Sequence, residues 1–407
     1  MKSFALCFCL LLNAAIYAQT DNKIVLGNAD SVYSKILNEN RKIWVHVPDE
    51  NADPDGNIFA KQQYPVIYLL DGWEPNFSVV TSIVQQLGEG SGNLGFPQMI
   101  VVGIPNTDRT RDLTPTQSFS MPMMDSMSAK SSGGGEKFIS FIEKELIPHV
   151  DSLYPAAPYR IFIGHSLGGL MAIYTLINHA TLFNAYVAID PSTIWDNQIV
   201  LKQAREALEK KQFENNSLFL AIANTMNSGI DTSIIGLHMR ANFQLRDYLN
   251  TYKESKLEFS CKYYPEYDHN SVPVVAEYDA LRFIFNFYNF NFPFAEFFNP
   301  SYKSDTLLNA HYKDISKRMG YKVYPPEQFV NTLAYQLMSM KQFDRAFNFF
   351  EMNIENYPES FNVYDSMGDF YDVKGNKQKA IEYYSKALTI RDFPGTREKI
   401  EKLKLTK

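Results

Sequence analysis

The 407-residue sequence predicts an α/β fold: a mostly parallel central sheet with helices on both faces, followed by a small all-α tail of helical repeats. Three observations carry this. Short continuous apolar runs recur between residues 64 and 264, separated by stretches of helical, amphipathic spacing, as strands buried on both faces and their crossover helices would be. One run, Ile161, Phe162 and Ile163, enters Gly164-His165-Ser166-Leu167-Gly168 and leaves it with Leu170, Ile173, Tyr174 and Ile177 at one-face spacing, which reads as strand, sharp turn, helix. Beyond Phe290 the spacing turns wholly helical and repeats every 34 residues.

Taken in order, residues 1–18 have the make-up of an export signal: Lys2, an apolar run over 4–12, and small Ala18 ahead of a cut that would leave Gln19 first. The run is too short to span a bilayer. Cleavage would remove Cys7 and Cys9, leaving Cys261 and no intramolecular disulfide. It would also take Lys2, moving the formal net charge from −6 to −7. With 45% hydrophobic and 21% charged residues the chain has material for a core and two domains. It has no basic patch for nucleic acid and no later stretch for a membrane, so neither partner is expected. Aromatic residues, at 14%, suit a saccharide or aryl ligand and a packed core equally.

Residues 42–48 alternate Ile43, Val45 and Val47 against Trp44 and His46, a strand with one buried face and a structural histidine. Residues 51–63, with Asp-Pro and Asp-Gly, read as the loop of a hairpin leading into the buried strand YPVIYLLDG, 64–72. Strands at 99–105, 185–192, 218–223 and 257–264 continue the series. Helices are expected over 136–150, 201–213, 237–252 and 272–288. Residues 119–135, with Met121, Met123, Met124 and Met127, read as an adaptable surface loop able to line an apolar pocket.

The turn around Ser166 needs neighbours without bulk at its two glycines, and it lifts the hydroxyl beyond the sheet's carboxyl edge, beside the positive end of the next helix. An unassisted serine hydroxyl is a poor nucleophile at neutral pH and requires a base. Of seven histidines, His269 alone lies in the loop between the last core strand and the closing helix. That is the station for a base when serine, acid and histidine follow in chain order. His165 reads as a packing residue of the turn, His238 sits in an amphipathic helix, and His311 lies beyond the domain. The orienting acid should follow a strand between serine and histidine. Asp231 stands at the usual station and is preferred; Asp190, one strand earlier, is within reach, and a Ser–His dyad is the third option. Backbone amides of Leu167 and of Gly72 or Trp73 would hold the oxyanion, and Trp73 and Trp195 are placed to shape the pocket. No metal or organic cofactor is implied.

Residues 64–73, NTDRTRDLTP at 106–115, GGEKFISFIEKELIP at 134–148, GHSLGG and residues 269–285 occur in one order. Together they make the chain resemble the Putative esterase family of α/β-hydrolases, which includes esterase D, enterochelin (siderophore) esterases and feruloyl or acetyl-xylan esterase domains. The likeness covers most of 42–290. It implies the α/β-hydrolase fold and carboxylic-ester hydrolysis, with Ser166 and His269 as nucleophile and base, and Gly72 or Trp73 with Leu167 at the oxyanion hole. Arg109, Arg111 and Asp112 match the family's arginine-bearing loop beside the active site, where ion pairing comes first and substrate contact second. There is one departure: many relatives resemble ANTME after the penultimate strand, whereas this chain reads ANTMN, with Asn227 in place of the carboxylate. The acid therefore has no direct carry-over.

Past Phe290, residues 291–325 read as a connector with one short helix. Ala334 and Gly368, Ala346 and Ala380, and Phe349 and Tyr383 are each 34 apart, and MGDFYDVKGNKQKAIEYYSKAL resembles a tetratricopeptide unit. Two copies are too few to bury a solenoid core, so the tail should dock on the catalytic domain or on a protein partner. The expected organisation is a signal at 1–18, an α/β-hydrolase domain at 19–290, the connector at 291–325 and the repeats at 326–407. The expected protein is a periplasmic or secreted serine esterase forming an acyl-enzyme on Ser166. Its substrate would be a small-molecule or saccharide ester, of siderophore type or an acyl or feruloyl carbohydrate. An acyltransferase on the same fold and an idle binding module built on the repeats are the alternatives.

Overall fold

A computed structural model describes residues 25–48, 62–88, 95–121, 124–228, 232–290, 297 and 299–405. The expected signal, 1–18, lies outside them. Eight strands make one sheet: β1 (Asn28–Ser34), β2 (Glu39–His46), β3 (Tyr64–Leu70), β4 (Ile100–Ile104), β5 (Ala156–His165), β6 (Ala185–Ile189), β7 (Ser217–Ala223) and β8 (Glu258–Tyr264). Their order is β1-β2-β4-β3-β5-β6-β7-β8. β1 and β2 run antiparallel to their neighbours, and the pairs from β4 through β8 are all parallel. β3, β4, β6 and β7 are buried at every position, which is why they read as unbroken apolar runs.

The strand pairing corrects the expected hairpin. β2 lies between β1 and β4 and does not pair with β3, so these two strands are not the arms of a hairpin; residues 51–61 fall outside the described residues. β1 went unread because it is an edge strand that buries only Val32 and Ser34, too few apolar positions to declare a period.

Helices α1 (Glu74–Leu87), α2 (Gly135–Phe141, continued through a π turn at Ile142–Leu146 into Ile147–Leu153), α3 (Leu167–Asn178), α4 (Trp195–Lys210), α5 (Thr232–Thr251) and α6 (Val272–Ile284) flank the sheet. Alternate strand residues divide between the two faces. Tyr68, Phe162 and Tyr186 pack with Phe138, Leu170, Leu201 and Leu245 of α2 to α5. Ile67, Ile161 and Val187 pack with Val80 of α1 and Ala280 of α6.

The second core does not stop at α6. It runs on into α7 (Ser304–Met319) through Leu308, Tyr312, Ile315 and Met319, and then into α8 (Glu327–Ser339), α9 (Phe343–Asn356) and α10 (Phe361–Val373) through Val330, Phe349 and Phe370. The expected connector thus carries one helix of 16 residues. Its buried 308, 312, 315, 319 stripe has helical spacing, and Gly320, at φ 74°, ends it in the left-handed region. With α11 (Lys377–Ile390) and α12 (Pro394–Leu405), the tail forms helical pairs in which α10 and α11 begin 34 residues after α8 and α9 (361−327, 377−343). Among the described residues no helix is long and apolar enough to cross a membrane.

Candidate active site

β5 pairs with β3 on one side and β6 on the other, so the turn after it opens mid-sheet at the carboxyl edge. Ser166 sits there at φ 58°, ψ −115°, a conformation costing an L-residue on the order of 1–3 kcal/mol and characteristic of functional turns. A Cβ on Gly164 would lie 2.3 Å from the carbonyl of Gly168; the turn can close only over a glycine at that position. The Ser166 amide donates to the Ile189 carbonyl at 3.0 Å, and the Ser192 amide donates to the Ser166 carbonyl at 3.0 Å. The two hydroxyls, Ser166 Oγ and Ser192 Oγ, are 3.2 Å apart. Leu167 opens α3, so its amide has no carbonyl four residues back within the helix.

His269 stands in the loop between β8 and α6, and its Nδ1 donates to Asp190 Oδ2 at 2.6 Å. Asp190 directly follows β6 at φ 38° and is fully buried. Its Oδ1 accepts from the Ala223 amide at 3.1 Å and from Asn242 Nδ2 at 3.2 Å. Its Oδ2 also accepts from His238 Nε2 at 3.1 Å. Burial raises the carboxyl's pKa, but the hydrogen bonds and charge of His238 and His269 outweigh it and leave the group well below the usual carboxylate range. Of the two acids weighed from sequence, Asp190 holds the histidine; Asp231, the preferred one, lies outside the described residues.

His238 and Asn242 were missed as site residues. Four apart on α5, they share one face with buried Ala241 and Leu245, and a polar pair on an otherwise buried face was the available signal. The His165 ring centroid lies 4.4 Å from that of His269. Burial, helped by the His269 charge, pushes its pKa down to about 4. Its Nε2 has no hydrogen-bond partner among the described residues, which suits a neutral packing ring.

Donor atoms of Asp190, His238 and His269 lie within 4.8 Å of one another. Around a tetrahedral ion with bonds of about 2.0–2.1 Å, ligand atoms stand roughly 3.3 Å apart. The 2.6 Å contact of His269 with Asp190 is tighter than that. The trio is a hydrogen-bonded cluster in its geometry.

The loop after β3 forms the opposite wall. Asp71, at φ 52°, receives Arg109 Nε at 2.7 Å and Nη2 at 2.9 Å, and Asn106 Nδ2 at 2.5 Å. Arg109 also points Nη2 at the His165 carbonyl, 3.4 Å away, and its side chain stays 37% exposed. A Cβ on Gly72 would lie 2.4 Å from Gly103 Cα. The Gly72 amide donates to the Ile104 carbonyl at 3.1 Å, which withdraws it from the expected oxyanion donors; the Trp73 amide closes a tight turn on the Asp71 carbonyl at 2.9 Å. Trp73 is 54% exposed beside this turn. Trp195, expected in the pocket, is instead fully buried and donates Nε1 to the Thr116 carbonyl at 3.1 Å. The left-handed residues Asp196 to Gln198 that follow it turn its ring into the core. Arg111 and Arg41 converge on Asp112 and Glu39, tying the arginine-bearing loop to β2.

A sequence model described as "Putative esterase" matches residues 34–249, just over half the chain. The chain belongs to the Putative esterase family. It is a carboxylic-ester hydrolase. This esterase is 31% identical over 216 residues to the ferri-bacillibactin esterase BesA of Bacillus subtilis, an alignment covering 50% of this chain and 72% of the relative. It is 29% identical over 174 residues to the siderophore enterobactin esterase of Emericella nidulans, covering 40% of this chain and 55% of the relative. Among solved structures, the IroE-like serine hydrolase from Shewanella oneidensis superposes with a TM-score of 0.68 at 29% identity. That match spans 81% of the esterase and 99% of the other chain, so the shared architecture reaches past α6 into the helical tail.

Proposed function

We propose that this esterase is an exported serine hydrolase that cleaves siderophore-type esters through an acyl-enzyme on Ser166. The observation that carries the reading is the 2.6 Å bond from His269 Nδ1 to buried Asp190, with the His269 ring packed on the residue that precedes the strained Ser166. A base must be held in one tautomer; a carboxylate on Nδ1 leaves Nε2 to take the serine proton. The names of the relatives from Bacillus subtilis and Emericella nidulans supply the substrate class.

In this mechanism His269 Nε2 accepts the Ser166 proton as Oγ attacks the ester carbonyl. Asp190 stabilises the imidazolium, and the Leu167 amide is the donor to the developing oxyanion; the Trp73 amide, bonded to the Asp71 carbonyl, would have to leave that turn to become the second. His269 returns the proton to the leaving alcohol, and water, deprotonated by His269, releases the acid. Arg109 fixes the Asp71 turn and presents the free part of its guanidinium to an anionic substrate. Export would use residues 1–18 as a removed signal, and the helical pairs from α8 to α11 would form a tetratricopeptide-type cap.

The test is hydrolysis of ferri-bacillibactin and enterobactin, beside a chromogenic short-chain ester, by the mature protein and by Ser166→Ala. Turnover that disappears in Ser166→Ala is the expected result. Equal turnover in both would sink the serine mechanism, and cleavage of the chromogenic ester alone would remove siderophores as the substrate class.

A further inference from the structure

Two imidazoles meet one carboxylate oxygen in this site. His238 Nε2 and His269 Nδ1 both contact Asp190 Oδ2, at 3.1 and 2.6 Å, with their rings nearly perpendicular at 88° and 5.5 Å between centroids. Of the two, His269 packs its ring on His165, the residue that precedes Ser166. His238 is carried by α5, and its side chain is only 11% exposed. The packing that seats it is specific: Asn242, one turn on, bonds the other oxygen of the same carboxylate, and Thr193 Oγ1 in turn donates to Asn242 Oδ1 at 2.5 Å.

An imidazole facing a buried carboxylate feels its full negative potential and is drawn to the protonated form, in which it is no base. A second N–H donor on the same oxygen takes up part of that potential. We propose that His238 is a positioning residue for the base: by donating to the oxygen that His269 uses, it fixes the plane of Asp190 and keeps His269 neutral and able to accept a proton. The inference rests on the serine-esterase reading for its purpose. Among the described residues, ionisable groups near His269 are His165 from the end of β5 and Asp268 of its own loop, with Asp71 and Arg109 beside His165. None of these shares the Asp190 carboxylate. Asn242 Nδ2 also lies 3.3 Å from His238 Nε2; with the Nε2 proton directed at Asp190, His238, neutral or charged, opposes protonation of His269, and its removal favours it.

The experiment is an NMR titration of the His269 ring in the full mature chain, labelled at histidine, for wild type, His238→Gln and His238→Phe. The Phe variant removes the donor, and its His269 midpoint is expected to move to higher pH by about half a unit to one unit, roughly 3- to 10-fold in proton affinity. The Gln variant keeps an N–H but cannot carry a proton. Its midpoint should rise less, and the broad wild-type curve of two coupled imidazoles should sharpen to a one-proton ionisation. If His238→Phe does not fold, this change of shape in His238→Gln decides. A wild-type curve already of one-proton shape, with the same midpoint in every variant that folds, overturns the proposal and leaves His238 as a helix anchor. With ester present, the acid limb of kcat/KM should move with the NMR midpoint while KM holds. The titration needs no turnover, so failure of the esterase reading and failure of this one are separately visible.

Discussion

Asp190 and His269 meet at 2.6 Å across 79 residues of sequence, so the carboxylate that holds the ring directly follows β6, the strand beside the serine's own. Asp190→Asn is expected to lower kcat by about 10²- to 10⁴-fold, because an amide can favour the wrong tautomer of His269 and cannot stabilise its charged form. Asp231→Asn should stay near wild type. Steady-state hydrolysis by the two variants, each checked for folding by thermal melting, separates them; the reverse ranking would return the role to Asp231.

Ser166 holds φ 58° without being glycine. Ser166→Ala and Ser166→Gly should both be inactive, with Ser166→Gly the more stable by about 1 kcal/mol, since glycine enters this region without the Cβ penalty. Thermal melts of the pair would show it; a Gly variant melting below the Ala variant would mean the turn is relaxed.

Arg109 grips both oxygens of Asp71, and an ammonium cannot reproduce that fork. Arg109→Lys is expected to lower kcat/KM roughly tenfold, with a small change in Tm. An unchanged kcat/KM would show that Asn106 holds the turn unaided.

Glu277 is buried in α6, and burial pushes its carboxyl up to about 8. Between the ordinary value of 4.5 and 8, the unfolded chain releases a proton that the native state keeps, so the native state binds more protons and stability falls as pH rises through that window. Melts of wild type and Glu277→Gln should diverge from about pH 5 to about pH 8, with the Gln variant higher at the alkaline end. Parallel curves would place Glu277 in a solvated setting.

Ile315 is fully buried where α7 joins the second core. Ile315→Asp should unfold or aggregate the whole chain, the outcome expected for an unpaired charge in an apolar core. Full esterase activity and an unchanged melt in that variant would mean that the tail is a detachable module.

The sheet, its order of helices and the serine turn were legible because each has a periodic or steric signature: unbroken apolar runs for β3, β4, β6 and β7, and a compulsory glycine at 164. His269 could be singled out because it alone lies in the loop between the last strand and the closing helix. The acid could not be chosen from spacing. Asp190 and Asp231 both follow strands, and only the lateral order of β6 and β7, with the backbone of Asp190 at φ 38°, decides which carboxylate meets the ring. Trp195 misled for a similar reason: a large aromatic near a loop can face either way, and the left-handed turn at Asp196 carries no motif. His238 stayed hidden because an amphipathic helix gives a polar residue no visible cause to be buried.

The continuous second core sets an order on synthesis. Every strand of the sheet has been made once Tyr264 is added, and Phe285 after α6 packs on Phe96 and Tyr159 of the same half, yet Tyr288 takes cover from α7, where His311 bonds the Tyr288 carbonyl and Tyr312 packs on the Tyr288 ring. A nascent chain leaving the ribosome therefore carries a nearly complete catalytic half with an apolar flank uncovered until its last hundred or so residues emerge. Such a chain stays open late, which makes an early stop codon in the tail a defect of folding, not of a spare appendage.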